Sequence, residues 1–113
     1  EQVMLAERLR EMRDQVEAVH TSDSLLDYVQ RLVARTRSGG DFAVGISPRG
    51  VLALLRAAKT WALMNGRDHV LPEDVQHVLG PVAGHRLVPG ERFAGDGMAL
   101  VTLLQREVDV LPT

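Results

Sequence analysis

Apolar side chains recur along this chain at intervals of three and four residues, which is the spacing of one face of an α-helix. The pattern predicts five helices, at about residues 2–14, 23–37, 48–65, 72–84 and 97–108, and no convincing strand. Residues 38–41 and 85–96 are predicted to be loops, since glycine and proline interrupt the pattern there. The chain is therefore expected to be all-α, a small helical bundle of four to five helices.

The third predicted helix has the widest apolar face, so we expect it to be the central helix of the bundle. Its inward stripe is predicted to hold Val51, Leu52, Leu55, Ala58, Trp61 and Ala62, and Gly66 is expected to end it. In the first helix, one face carries Leu5, Leu9, Met12 and Val16, with Val19 following.

Composition narrows the class of protein. The chain has 113 residues, of which 45% are hydrophobic and 25% charged, an ordinary balance for one globular domain. Its net charge of -2 gives no general attraction to nucleic acid or to an anionic membrane, and no apolar run is long enough to span one. The absence of cysteine excludes disulfides and thiolate metal sites, and it is compatible with a cytoplasmic protein. Because the chain begins with Glu1 rather than Met, we expect it to be part of a longer protein.

The segment 45–50 reads Gly-Ile-Ser-Pro-Arg-Gly and stands at the head of the third predicted helix. Ser47 can cap backbone N–H groups, and Pro48 suits the first helical position, where no N–H partner is needed. Arg49 then projects from the first turn, where the partial positive charge of the helix favours an acidic residue instead. Free N–H groups and a guanidinium together would bind a phosphate. The plainer alternative is a surface arginine paired with a nearby carboxylate, and from spacing alone that alternative is favoured.

An ordered set of short segments resembles the helical lid domain of MoxR-type AAA+ ATPases over about residues 16–108. In order, the matching segments are Asp27-Tyr28, Leu32-Val33, Thr36-Arg37, Gly45-Ile46-Ser47-Pro48-Arg49, Ala57-Ala58-Lys59, Gly66-Arg67, Val70-Leu71-Pro72-Glu73-Asp74-Val75, Val78-Leu79 and His85-Arg86. The resemblance implies that residues 1–20 are a connecting helix from an ATPase core and that residues 21–113 are the lid.

The resemblance also implies a function. Arg49 would be the sensor-2 arginine that reads the γ-phosphate of ATP, with Ser47 and Pro48 beside it in the nucleotide site. ATP with Mg²⁺ would be the cofactor of the full-length protein, a ring oligomer expected to be a hexamer. Its task would be chaperone-like remodelling of client proteins or maturation of a metal cofactor in client enzymes. Its partner in this task would be a von Willebrand factor A domain protein. Whether Arg49 serves its own subunit or a neighbour stays open.

The chain lacks the phosphate loop G-x-x-x-x-G-K-[ST] and an acidic group to hold magnesium. We therefore expect ATP hydrolysis only in the full-length protein, and no tight nucleotide binding by this chain alone. The four histidines show no i, i+4 pair, so no metal site is predicted. Arg67 is expected to be structural, as is Arg86, which could pair with Asp74 or Glu73. Arg35 and Arg37 are expected to be structural first and subunit contacts second.

Two alternatives stay open. One is the lid of a related motor, such as a magnesium chelatase-like AAA+ protein. The other is a free-standing helical module that binds a protein partner; binding of nucleic acid is disfavoured because the arginines form no basic stripe. A phosphate-loop core encoded immediately upstream would favour a lid, whereas a start codon near Glu1 would favour the module.

Overall fold

The computed structural model describes residues 2–37, 42–44, 46–83, 88–89 and 97–108. Within these residues the chain forms, in order, α1 (Gln2–Glu17), α2 (Asp23–Thr36), β1 (Phe42–Val44), α3 (Pro48–Met64), α4 (Pro72–Ala83), β2 (Val88–Pro89) and α5 (Gly97–Glu107). The predicted all-α bundle is confirmed, with each helix close to its expected limits. The loop predicted at 38–41, most of the loop at 85–96 and the pairing of Arg86 lie outside the described residues.

Two short strands were not expected. β1 pairs antiparallel with β2, so that Phe42 lies opposite Pro89 and Val44 opposite Val88. The prediction of no strand is wrong here, because segments of two and three residues are too short to show an alternating pattern. Their pairing ties the segment before α3 to the segment before α5.

The described core lies between α2, α3, α4 and α5, and α3 packs most extensively on α4. Its largest fully buried side chains are those of Tyr28, Leu25, Leu32, Leu54, Leu79 and Leu104. Across the contact between α3 and α4, the Trp61 and His77 rings stack with centroids 3.9 Å apart. The central place predicted for the third helix therefore agrees with its packing.

The buried stripe of α3 agrees in part with the one predicted: Ala58 and Ala62 are buried, and Val51, Leu55 and Trp61 pack partly buried against the core. Gly50, Leu54, Ala58 and Ala62 are buried at four-residue intervals, whereas Leu52, predicted to face inward, is 64% exposed. A helix that is apolar around most of its circumference does not fix which stripe packs inward. Small residues at three of these four positions allow a neighbouring helix to approach α3 closely, and α4 makes the most extensive contact with α3.

α1 stands apart from this core and has no buried residue. We call Leu5, Leu9 and Met12 the α1 stripe; these side chains lie on one helical face and are 59%, 57% and 60% exposed. α1 contacts α3, where Glu17 lies 3.7 Å from Arg56. The apolar periodicity of α1 therefore corresponds to a helix face that no other described residue buries.

Two linkers hold the helices in register. The N–H of His20 donates to the carbonyl of Asp68 at 2.8 Å, and the N–H of Val70 donates to the carbonyl of His20 at 2.9 Å. These bonds join the linker before α2 to the linker before α4. Gly66 follows α3 with a φ of +78°, a left-handed conformation that glycine adopts without strain, and this agrees with its predicted role at the helix end.

Candidate functional site

Ser47 and Pro48 start α3 as predicted. Ser47 has an extended backbone, and its hydroxyl oxygen accepts the N–H of Gly50 at 3.1 Å. Pro48 occupies the first helical turn, where its missing N–H removes a donor that would lack a partner. The cap fixes the direction in which the first turn leaves the chain, and with it the position of Arg49.

The residue before this cap is held on both sides by the end of α2. The hydroxyl of Thr36 accepts the N–H of Ile46 at 3.1 Å, and a guanidinium nitrogen of Arg37 donates to the carbonyl of Ile46 at 3.1 Å. Thr36 and Ile46 are 1% and 4% exposed, and the Thr36 hydroxyl also donates to the carbonyl of Val33 at 2.6 Å. We call this arrangement the Ile46 clamp. It couples α2 directly to the entry of α3.

Arg49 is exposed on the first turn of α3, and that turn contains no acidic residue. Within the described residues, no hydrogen bond or ion pair holds its guanidinium. The pairing with a carboxylate that spacing alone favoured is therefore not seen in this part of the chain. An exposed guanidinium that no described residue binds is suited to a phosphate or carboxylate ligand.

The rest of α3 strengthens the positive charge. The helix contains Arg49, Arg56 and Lys59 and no acidic residue. Arg49 and Arg56 are seven residues apart, which places them on the same helical face. The only acidic partner found for these three residues in the described ranges is Glu17, at 3.7 Å from Arg56, and both side chains of that pair are more than half exposed. A weak, solvated ion pair leaves most of this charge uncompensated.

Two of the arginines expected to be structural, Arg67 and Arg37, are bound within the fold. Arg67 forms an ion pair with Asp74, a carboxylate only 2% exposed that also accepts the N–H of Leu71 at 2.8 Å. Arg37 belongs to the Ile46 clamp. His69 lies 3.0 Å from Asp68, and this hydrogen bond lowers the pKa of the Asp68 carboxyl. No group of three or more potential metal ligands occurs among the described residues.

Sequence reasoning singled out Ser47, Pro48 and Arg49 but missed the residues that hold them. The sequence marks Thr36 only through the resemblance and predicts a structural role for Arg37 without its partner, because contacts that span nine and ten residues leave no periodic signal. No helix in the described ranges combines the length and the apolarity needed to cross a membrane.

The family model for the AAA lid domain matches residues 34–105, a stretch that includes the Ile46 clamp and Arg49. Among curated relatives, protein YeaC of Bacillus subtilis, itself uncharacterised, is 35% identical over 86 residues, covering 74% of this chain and 27% of that protein. Chaperone MoxR1 of Mycobacterium tuberculosis is 42% identical over 74 residues, covering 58% of this chain and 20% of that protein. Protein MoxR of Paracoccus denitrificans is 45% identical over 60 residues, covering 53% of this chain and 18% of that protein.

A comparison of three-dimensional structures points to the same family of proteins. The crystal structure of a candidate ATPase from Cytophaga hutchinsonii superposes with a TM-score of 0.79 and 27% identity, covering 91% of this chain and 34% of that one. The chain thus spans about a quarter or less of the length of the curated relatives it matches. It belongs to the AAA lid domain family and is a MoxR-like member of it.

Proposed function

We propose that this domain is the lid of a MoxR-type AAA+ ATPase and that Arg49 is its sensor-2 arginine. The observation that supports this best is the exposed guanidinium of Arg49, which has no ion pair within the described residues and stands on a helix start held by the Ile46 clamp. Arg49 would contact the γ-phosphate of ATP. Ser47 and Pro48 would set the turn that aims it, since the Ser47 hydroxyl is already engaged by Gly50.

The described residues fit a phosphate but not a metal. Arg49 offers a planar fork of donors that matches phosphate oxygens, whereas no cluster of carboxylates is present in the described ranges for Mg²⁺. The magnesium ligands and the phosphate loop would therefore belong to a nucleotide-binding core elsewhere in the full-length protein. ATP supplies the transferable phosphoryl group. Arg49 would stabilise the charge that develops on that group and would draw the lid towards the nucleotide.

Loss of the γ-phosphate would remove the partner of Arg49. The attraction that holds the lid in place would then weaken, so a local electrostatic change would alter the position of a whole domain. Because α2 and α3 are joined through Thr36, Arg37 and Ile46, a pull on Arg49 would be passed to α2 as well as to its own helix. In this way the lid would couple the state of the nucleotide to the shape of the assembly.

The α1 stripe supports the proposed division of the chain. Residues 1–20 would be the connecting helix from the ATPase core and residues 21–113 the lid. Three aliphatic side chains, each more than half exposed, favour packing against another apolar surface. We propose that the core provides that surface.

The assembly and task are likewise proposals. We propose a cytoplasmic ring, expected to be a hexamer, in which neighbouring subunits contact the lid. A relative named a chaperone supports chaperone-like remodelling of client proteins. Maturation of a metal cofactor in a client enzyme, with a von Willebrand factor A domain protein as partner, is the specific form of that task we propose. The isolated chain is expected not to hydrolyse ATP.

Steady-state ATP hydrolysis by the full-length protein tests the role of Arg49. Arg49→Ala is expected to lower the rate on the order of 10²-fold, as the loss of one charge-stabilising donor does elsewhere. Arg56→Ala is the matched control, because Arg56 lies on the same face of α3 and its side chain is 72% exposed. An unchanged rate and ATP affinity for Arg49→Ala, with the ring assembled, would contradict the assignment. Equal losses in both variants would point to general charge rather than to a specific contact.

A further inference from the structure

An open apolar groove of about 520 Å³ runs between α2 and α3, beside the start of α3. We call it the α2–α3 groove. It is lined by Val29, Gln30, Val33, Ala34, Arg37, Pro48, Val51 and Leu52. Val29 and Val33 are buried in its floor, whereas Leu52 stands at its edge with 64% of its surface exposed. The volume is that of a site for a sizeable ligand or for anchoring side chains.

Among the described residues that line this groove, the charge is positive. Arg37 is the one charged residue among the described residues of its lining, and Arg49 follows the lining residue Pro48. α3 itself carries three basic residues and no acidic one. One guanidinium nitrogen of Arg37 donates to the carbonyl of Ile46, and no other partner of this guanidinium is found among the described residues, so its remaining N–H groups are suited to a ligand. The groove therefore matches an occupant that is aliphatic at its centre and carries carboxylates beside the aliphatic part.

We propose that the α2–α3 groove binds an acidic amphipathic segment of a partner protein. Aliphatic side chains of that segment would fill the floor over Val29 and Val33, and a carboxylate would accept hydrogen bonds from Arg37. This goes beyond the nucleotide contact proposed for Arg49 and does not depend on it. A peptide helix laid into a hydrophobic groove is a common mode of partner recognition, with charges on the rim setting specificity.

A second copy of this chain is a poorer occupant. The exposed apolar face that it could offer from its described residues is the α1 stripe, and helical spacing places Arg8 and Arg13 on the two sides of that stripe. Docking it into the groove would bring these arginines towards Arg37 and Arg49, and like charges at an interface disfavour association. The charge pattern thus favours an acidic partner over self-association.

Two synthetic amphipathic helices with the same leucine stripe test the proposal, one flanked by glutamate and one by lysine. Each is dye-labelled and titrated with the full-length protein, without nucleotide, and binding is followed by fluorescence anisotropy. The glutamate peptide is expected to bind at least about tenfold more tightly than the lysine peptide. Equal binding of the two peptides, or no binding of the glutamate peptide, would overturn the proposal.

Variants at the edge of the groove separate binding from folding. Leu52→Glu is expected to lower the affinity for the glutamate peptide by about tenfold or more, because the substitution places a carboxylate on the apolar wall of the groove. Met64→Glu is the matched control, since Met64 is on the same helix, 74% exposed and outside the groove. Gln30 lines the groove and is exposed, so Gln30→Lys should tighten binding and Gln30→Glu should weaken it. Identical affinities for these two Gln30 variants would contradict a carboxylate ligand.

A photo-crosslinking amino acid at Leu52 identifies what occupies the groove. A covalent adduct with the glutamate peptide, competed by excess unlabelled peptide, supports the proposal. A crosslink within the same polypeptide that excess peptide does not displace would mean that the ATPase core covers the groove. A crosslinked dimer would mean that a second copy does so. Either of the last two results would overturn the proposal, while leaving the role of Arg49 untouched.

Discussion

The Thr36 hydroxyl accepts the backbone N–H of Ile46 at 3.1 Å, which links the last turn of α2 to the residue that precedes the α3 cap. The same hydroxyl donates to the carbonyl of Val33, so both of its hydrogen-bonding functions are used inside the fold. Since Ile46 is followed directly by Ser47 and Pro48, a shift at Thr36 would move the start of α3. The position of Arg49 therefore depends on a neutral residue thirteen places earlier in the chain.

Thr36→Val tests this dependence. Valine has nearly the same shape but offers no acceptor, so the buried N–H of Ile46 would be left without its partner. We expect the free energy of unfolding to fall by about 1–3 kcal/mol, measured by chemical denaturation. Thr60→Val is the control, because the Thr60 hydroxyl is exposed and its bond among the described residues stays within its own helix, to the carbonyl of Arg56. Equal changes in the free energy of unfolding for the two substitutions would mean that the hydrogen bond to Ile46 does not stabilise the fold more than an exposed one.

Arg49→Lys separates charge from geometry at the proposed phosphate contact. Lysine keeps the positive charge but loses the planar fork that can engage two phosphate oxygens. We expect the ATPase rate of the full-length protein to lie between those of the wild type and of Arg49→Ala, about tenfold below the wild type. A rate equal to that of the wild type would show that charge alone is sufficient and would contradict a bidentate contact.

The ion pair between Arg67 and Asp74 gives a prediction about stability. Asp74 is almost fully buried and binds both the Arg67 guanidinium and the N–H of Leu71. Asp27 makes a similar ion pair with Arg31 on the surface, and the side chain of Asp27 is 54% exposed. We expect Asp74→Ala to destabilise the chain by about 3–5 kcal/mol, since the Arg67 charge would lose its partner. Asp27→Ala should change the stability by about 0–1 kcal/mol. Denaturant midpoints of the two variants measure the difference, and similar values would contradict it.

Helix positions could be predicted because helical periodicity is local. The limits of α3 followed from Ser47, Pro48 and Gly66, each of which acts on the backbone within a few residues. Which apolar positions of α3 are buried could be predicted only in part, because apolar residues surround most of the helix and the choice depends on how the other helices fit against it. Leu52 was accordingly assigned to the core, although it stands exposed at the edge of the α2–α3 groove.

The candidate site was predictable only in part for a related reason. Ser47, Pro48 and Arg49 are consecutive, so their chemistry can be inferred from the helix start that they form. Thr36 and Arg37 reach Ile46 across ten and nine residues, and only the folded chain brings them together. The groove beside them depends on the packing of two helices, which no single segment encodes.

Tyr28 gives the chain a predictable response to alkaline pH. Burial raises the pKa of its phenol, outweighing the hydrogen bond from Gln76 and the charge of Arg31, which lower it. Below pH of about 10 the phenol is neutral in both the folded and the unfolded chain. Above that value the unfolded chain ionises first and binds fewer protons, so stability should fall as pH rises through the folded pKa.

Tyr28 is the only tyrosine, so phenolate absorbance titrates it directly in the folded chain. The midpoint should lie above that of the same chain unfolded in denaturant. In Tyr28→Phe the loss of stability above pH of about 10 should be smaller than in the wild type, because phenylalanine has no proton to lose. Coincident phenolate midpoints in the folded and unfolded chains would contradict the effect of burial.

The α1 stripe predicts that one substitution will have different effects in two contexts. In this chain alone, Leu9→Glu should change the free energy of unfolding by less than about 0.5 kcal/mol, because Leu9 is 57% exposed. Leu25→Ala, at a side chain 1% exposed, should remove about 2–5 kcal/mol and serves as the contrasting control. In the full-length protein, Leu9→Glu should lower both the thermal stability and the ATPase rate, because the stripe would pack on the nucleotide-binding core. If the full-length variant matches the wild type in both measurements, the stripe does not face the core.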